Sequence, residues 1–263
     1  MSQVAAHHQA SRRASASRRW RLTERDVELL GWVGRWRAVL AGQVQSRFGI
    51  GPVVCYRRLR ALVDMGLLVH RQVFCGEPGV YLATAGGLAV ADVSLPTSRL
   101  DLATYRHDLA AVWVSLAVRS ELTRSRAALR VVGDRELRAL VSGGAAARQG
   151  GLTGLGAGRG RAGIPDVAVV DGDGRMLVAV EVELSAKGAS RLARVLSAYG
   201  RQPDLRRVVY LTDRPGVAAG VRRAARRVAA DDLVEVRRCE VLGQGRRLGI
   251  EGGPLLAGVV SDG

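Results

Sequence analysis

Asparagine is absent from this chain, and lysine occurs once, at Lys187. Aromatic residues make up only 4% of the sequence, and there are just three cysteines. Each scarcity excludes something. Cys55, Cys75 and Cys239 are scattered, so they supply neither a disulfide framework nor a cysteine metal site, and a reducing cytoplasm is the expected compartment. No apolar run approaches the roughly 20 residues needed to span a bilayer, so no membrane partner is expected. The opening stretch MSQVAAHHQASRRASASRRW lacks the apolar core of a secretory signal. His7 and His8 within it have no partner at metal-ligand spacing.

The missing residue types have AT-rich codons, and their absence is what a very GC-rich gene produces. Exchanging lysine for arginine is charge-neutral, however, so that bias leaves the net charge unexplained. Forty basic residues stand against 24 acidic ones, a formal charge of +16. Such a surplus favours a polyanionic partner, most simply double-stranded DNA. At 263 residues, 48% hydrophobic and 24% charged, the chain is globular and long enough for one large or two small domains.

Composition divides the chain. Residues 1–20, with Arg12, Arg13, Arg18 and Arg19 among serine and alanine, read as a disordered basic arm able to lie on phosphates; an inert tail is the plain alternative. Residues 21–95 form a first domain and residues 100–250 a second, with residues 251–263 as a tail. Inside the second, the Gly-rich segment 142–163 reads as a disordered loop. Its glycines miss the G-x-G-x-x-G register because Arg159 or Arg161 falls on the last position, so it is no dinucleotide site.

In the first domain, LTERDVELLGWV has Thr23 as N-cap, acids in the first turn and Val27, Leu30 and Val33 at helical spacing. A short helix is expected over about 40–48. After Gly49 and Gly51, Pro52 opens a third helix that ends at Gly66. At 100° per residue Cys55, Leu59 and Leu62 face inward. Val53, Arg57, Arg60 and Asp64 lie opposite, flanked by Tyr56 and Arg58. LLVHRQVF, the turn CGEPG and VYLAT then read as a β-hairpin. Three helices followed by a hairpin resemble winged-helix DNA-binding domains. The resemblance places Arg57 and Arg60 at the major groove and Arg71 of the wing on phosphate, with Val53, Tyr56 and Arg58 as further DNA-binding candidates. A solvated helix face or a protein-contact surface is the bland alternative.

In the second domain, IPDVAVVDGDGRMLVAVEVEL reads as two strands joined by a DGDG turn. A tight turn at 171–174 would set Asp166 opposite Ala179 and diagonal to Glu181. Asp166, Glu181 and Glu183 then share one face. Valines fill the other, and both faces are apolar elsewhere, the mark of central strands covered by helices. Packed carboxylates repel and lose hydration, so a divalent cation, arginine partners or protonation must compensate. Hard oxygen ligands at Asp166 and Glu181 suit Mg²⁺ or Mn²⁺. The plain alternative is an exposed strand end paired to nearby arginines. Ser185 is expected to cap a helix running to Gly200, with Lys187 in its first turn.

This αβββαβ order, with PD at 165–166 and EVE at 181–183, resembles the PD-(D/E)xK, or restriction-endonuclease-like, superfamily. The overall expectation is an α/β protein with a winged helix ahead of a nuclease-like domain. The resemblance implies that two acids hold a metal that activates water against a phosphodiester, assisted by a lysine. Here Glu183 stands where that lysine normally is, and Lys187 is positioned as a migrated substitute. Add the helix YRHDLAAVWV with His107, and the late tyrosine of RLARVLSAYGR. Together these features resemble the replication-relaxation family of plasmids and other mobile elements, found especially in actinobacteria. The resemblance implies DNA replication, relaxation or mobilisation, with His107 lining the site. It also implies other replication or mobilisation proteins as partners, and a homodimer as an assembly to test. The catalytic set it implies is Asp166, Glu181, Glu183, Lys187 and His107. A non-catalytic regulator or replication accessory protein with a degenerate nuclease fold is the alternative.

Overall fold

Thr23 starts the first helix in both directions at once. Its hydroxyl accepts from the Asp26 amide at 3.3 Å, and the Asp26 carboxylate accepts from the Thr23 amide at 2.8 Å, a capping box. The computed structural model describes residues 21–125, 128–142 and 163–259. The basic arm and nearly all of the Gly-rich segment lie outside the described residues.

From that cap, α1 runs over Glu24–Gly34. A short β1, Val39–Leu40, leads into α2, Ala41–Phe48. Gly49 closes α2 at φ +60°, a conformation glycine adopts without strain. Then α3 spans Pro52–Asp64, with proline in its first turn. The hairpin of β2, Leu68–Arg71, and β3, Val80–Ala83, follows. Strand β1 pairs with the far side of β3, giving a three-stranded antiparallel sheet ordered β1-β3-β2. Thr84 caps α4, Ala85–Val90. There Gly87 packs on the Leu67 carbonyl so closely that a Cβ would lie 2.1 Å from its oxygen.

The rest of the chain is a six-stranded mixed sheet with helices on both faces. The elements are α5 (Tyr105–Ser125), β4 (Arg130–Gly133), α6 (Asp134–Ser142), β5 (Val167–Val170) and β6 (Met176–Val182). They continue with α7 (Ala189–Gly200), β7 (Arg207–Thr212), α8 (Pro215–Arg227), β8 (Val234–Leu242) and β9 (Arg247–Ile250). Strands follow chain order across the sheet; β6-β7-β8 are parallel and the other neighbours antiparallel. Every residue of β5 and β6 is buried, as expected for central strands. Val167, Val169, Val178 and Val180 face the core shared with α5. Ala168, Val170 and Ala179 face the second core, with Leu196 and Tyr199 of α7 and Val221 of α8. The first core runs without a break from Leu30 and Trp32 of α1 through α5 to this sheet. Among the described residues no helix is long and apolar enough to cross a membrane.

Three expectations change. The hairpin register differs: Val169 pairs with Val178, Val170 with Met176, and a bulge lies between. Continued by one residue beyond Val167↔Val180, this register sets Asp166 across from Glu181 rather than diagonal to it. The shift is an even number of residues, so the same side chains stay on the same faces. Second, α7 begins at Ala189 with Gly188 as its N-cap. Ser185 and Lys187 therefore lie in the preceding loop, because both turn back toward Glu183. Third, β1, α6 and β9 join the expected elements.

Candidate functional site

Asp166 immediately precedes β5, Glu181 sits near the end of β6, and Glu183 follows that strand. All three are buried, at 9%, 7% and 3% exposure. The exposed, arginine-paired strand end is therefore not what forms. Each carboxylate instead has its own non-arginine partner.

Asp166 Oδ2 accepts from the Val182 amide at 2.8 Å and lies 3.0 Å from His107 Nε2. His107 is in the first turn of α5, with Nδ1 3.4 Å from Asp108 Oδ1. Burial disfavours the imidazolium, but the Asp166 carboxylate and the hydrogen bonds to both acids outweigh it, and the ring is pushed up to about 11. Burial likewise opposes ionisation of Asp166, yet His107 and the Val182 amide hold its carboxyl below the usual value. The pair is thus an imidazolium and a carboxylate at neutral pH.

Glu181 behaves oppositely. Burial, then the Asp166 carboxylate, push it up to about 8 against the opposing pull of Lys187 and Tyr199. Its Oε1 accepts from the Tyr199 hydroxyl of α7. Glu183 Oε2 is ion-paired with Lys187 Nζ, and its Oε1 lies 3.4 Å from the Ser185 hydroxyl. Burial works against the Lys187 ammonium, but Glu181 and Glu183 hold it charged above its ordinary value. Tyr210 pairs in register with Glu181 on the adjacent strand, and its buried hydroxyl has no hydrogen-bond partner among the described residues. Burial and the three carboxylates keep that hydroxyl protonated. At pH 7 the cluster is therefore two ion pairs around one protonated carboxyl, with an unused buried hydroxyl beside it.

A divalent cation finds a partial fit here. Among the described residues, no group of three or more His, Cys, Asp or Glu is arranged to hold a metal ion. Asp166 and Glu181 still offer hard oxygens across one hairpin. Two carboxylates with water and phosphate on the remaining positions are the ordinary habit of Mg²⁺, not a closed protein cage. The two residues suit a cation of that kind only.

The second expected site is on α3 and the β2–β3 hairpin. Cys55, Leu59 and Leu62 are buried. Val53 is 80% and Tyr56 52% exposed, and Arg57, Arg60 and Arg71 are exposed with them. Arg58 departs from this set. Its Nε donates to Asp26 Oδ1 at 2.9 Å, and Nη2 closes an ion pair with the same carboxylate. Asp26 is itself buried at the capping box. Arg58 thus braces α3 against α1.

Sequence reasoning did not identify Tyr210 or Asp134 as neighbours of the cluster, and it noticed Asp108 and Tyr199 only within the motifs of the family resemblance. Tyrosines in apolar runs carry no signal of what they face. The scan against protein-family models and the search of curated proteins found no match.

Proposed function

We propose that this chain is a DNA-binding protein of a plasmid or mobile element. Residues 21–95 act as a winged helix, and residues 100–250 as a PD-(D/E)xK-like domain serving replication, relaxation or mobilisation. The observation that carries the reading is the burial of Asp166 directly across from Glu181, flanked by Glu183, Lys187 and His107. Three carboxylates at one sheet end are costly to bury, and packing alone offers no reason for them. The +16 charge and the exposed arginines of α3 supply the attraction for DNA.

Asp166 and Glu181 would hold Mg²⁺ or Mn²⁺, which supplies Lewis-acid activation of water and phosphodiester when bound. The chain's own residues do the rest. His107 keeps Asp166 ionised and oriented. Glu181 holds a proton on the edge of release. Lys187, at the mouth of the cluster, offers an ammonium to a phosphate oxygen.

Relaxation of supercoiled plasmid is the test. The wild type is expected to nick with Mg²⁺ or Mn²⁺ and not with EDTA, and Asp166→Asn to lose the activity. Full activity in that variant, or none in the wild type, sinks the catalytic reading. One observation favours a second reading: His107 and Lys187 already neutralise the acids, so the cluster is stable without metal. On that reading the protein is a non-catalytic regulator or replication accessory. Its DNA affinity would be unchanged in Asp166→Asn and no nicking would occur.

A further inference from the structure

The turn between α1 and β1 belongs to the DNA-facing part of the chain, yet it is gripped from the sheet domain. Arg135 Nη1 donates to the carbonyls of Gly34 and Trp36, each at 2.8 Å. A Cβ on Gly133 would come within 2.7 Å of the Trp36 ring. Arg35 pairs with Glu136 at 3.5 Å. At the end of the turn, Arg37 Nη2 meets Asp134 Oδ2 at 2.8 Å, and its Nε lies 3.4 Å from Asp108 Oδ1.

Both acids that hold Arg37 lead to the same place. The Asp134 amide donates to the Asp166 carbonyl at 3.0 Å. Asp108 Oδ1 lies 3.4 Å from His107 Nδ1, and His107 Nε2 lies 3.0 Å from Asp166 Oδ2. One guanidinium thus reaches Asp166 by a backbone route and by a side-chain route. Thr104 fixes the other Asp108 oxygen at 2.9 Å, so Asp108 is aimed by its neighbours. Without Arg37, His107 would be the one cation beside Asp108 among the described residues, and Asp134 would lose its cross-domain partner.

We propose that Arg37 is a positioning residue that sets His107 and Asp166, and so ties the geometry of the carboxylate cluster to the DNA-binding part. The proposal rests on the reading above for what that cluster does. Its geometric basis stands apart from that reading. The role needs a planar fork that spans two acids, which lysine does not have.

Histidine-ring NMR on the full chain tests it, with the His107 signals assigned through His107→Gln. Arg37→Gln is expected to shift the His107 ring N–H signals, and Asp108→Asn to shift them while leaving the Arg37–Asp134 pair in place. Arg37→Lys should return them only partway. Arg35→Gln, which breaks a pair in the same clasp that does not reach His107, should leave them unmoved. In the nicking assay Arg37→Gln should lower kcat about tenfold to a hundredfold, the usual range for residues that orient ligands from behind, with KM for DNA unchanged. Unaltered His107 signals in folded Arg37→Gln and Asp108→Asn overturn the proposal. A wild type that does not nick removes the nuclease reading alone, because the ring signals still decide the role of Arg37.

Discussion

Glu181 and His107 sit on either side of Asp166 and hold their protons for opposite reasons. Glu181 keeps its proton because burial and a neighbouring carboxylate disfavour a further negative charge. His107 keeps its own because the same carboxylate rewards a positive one. Both have folded-state values above their ordinary ones, from 4.5 to about 8 for Glu181 and from 6.5 to about 11 for His107. Between those limits the folded protein binds more protons than the unfolded chain, so stability falls as pH rises. The Glu181 contribution is fully present below pH 4.5 and gone above about 8. That of His107 is fully present below 6.5 and lost toward 11. In EDTA the melting temperature should therefore drop from pH 5 to 9, most steeply between 6.5 and 8, where both act. Glu181→Gln should flatten the lower part of the curve and His107→Gln the upper part. A melting temperature that rises across this range would contradict the protonation states assigned here. The grouping of the three acids was legible in the sequence, because strand alternation fixes which side chains share a face. Lys187, four residues after Glu183, was legible beside them for the same local reason. His107 and Tyr199 entered only through the family resemblance, since they arrive from two other helices whose approach no local pattern encodes.

Within α3 the same residue type serves two ends. Periodicity placed Arg57, Arg58 and Arg60 on or beside the outer face, and the helix bounds agreed with proline and glycine signals. It could not separate Arg58, because the buried acid that captures it, Asp26, belongs to a different helix and reads in sequence as an ordinary first-turn acid. Arg58→Gln would leave Asp26 buried with Thr23 as its one side-chain partner among the described residues. Breaking such a pair should cost about 2–3 kcal/mol, less than for a fully enclosed pair because the Arg58 side chain is 23% exposed. Arg57→Gln should leave thermal stability within about 0.5 kcal/mol, as exposed positions do, and weaken duplex binding instead. Chemical denaturation and a gel-shift titration on the two variants separate the roles, and reversal of the pattern would mean that Arg58 is the DNA contact. Missed elements have equally local causes. Strand β1 has only two residues, too few for alternation to show. The loop ahead of α7 carries helix-forming residues that Glu183 draws out of helical register.

At the scale of the molecule, the order of helices and strands foretold an α/β chain, while the division at residues 95–100 hid how closely the parts engage. Gln43 of α2 donates to the Leu109 carbonyl of α5 at 2.8 Å, and one apolar core spans both parts. Interlocking of this kind depends on surfaces that each half presents only after folding, so no sequence window contains it. Charge, by contrast, is additive and can be apportioned. Of the 40 basic residues, Arg12, Arg13, Arg18 and Arg19 lie within residues 1–20. Others, such as Arg37, Arg58 and Arg135, are engaged internally and release no counterions on binding. On the proposed function, the logarithm of the DNA association constant should therefore fall linearly with the logarithm of salt, with a slope well below what the basic count alone would give. Each arginine on phosphate contributes about 0.9 to that slope. Removing residues 1–20 should lower its magnitude by up to about 3.6 if all four arginines reach the duplex. It should leave the melting temperature of the remainder unchanged, because α1 is capped from within by Thr23 and Asp26. An unaltered slope would place the phosphate contacts within residues 21–263, the exposed arginines of α3 among them. A lowered melting temperature would show instead that residues 1–20 belong to the folded structure.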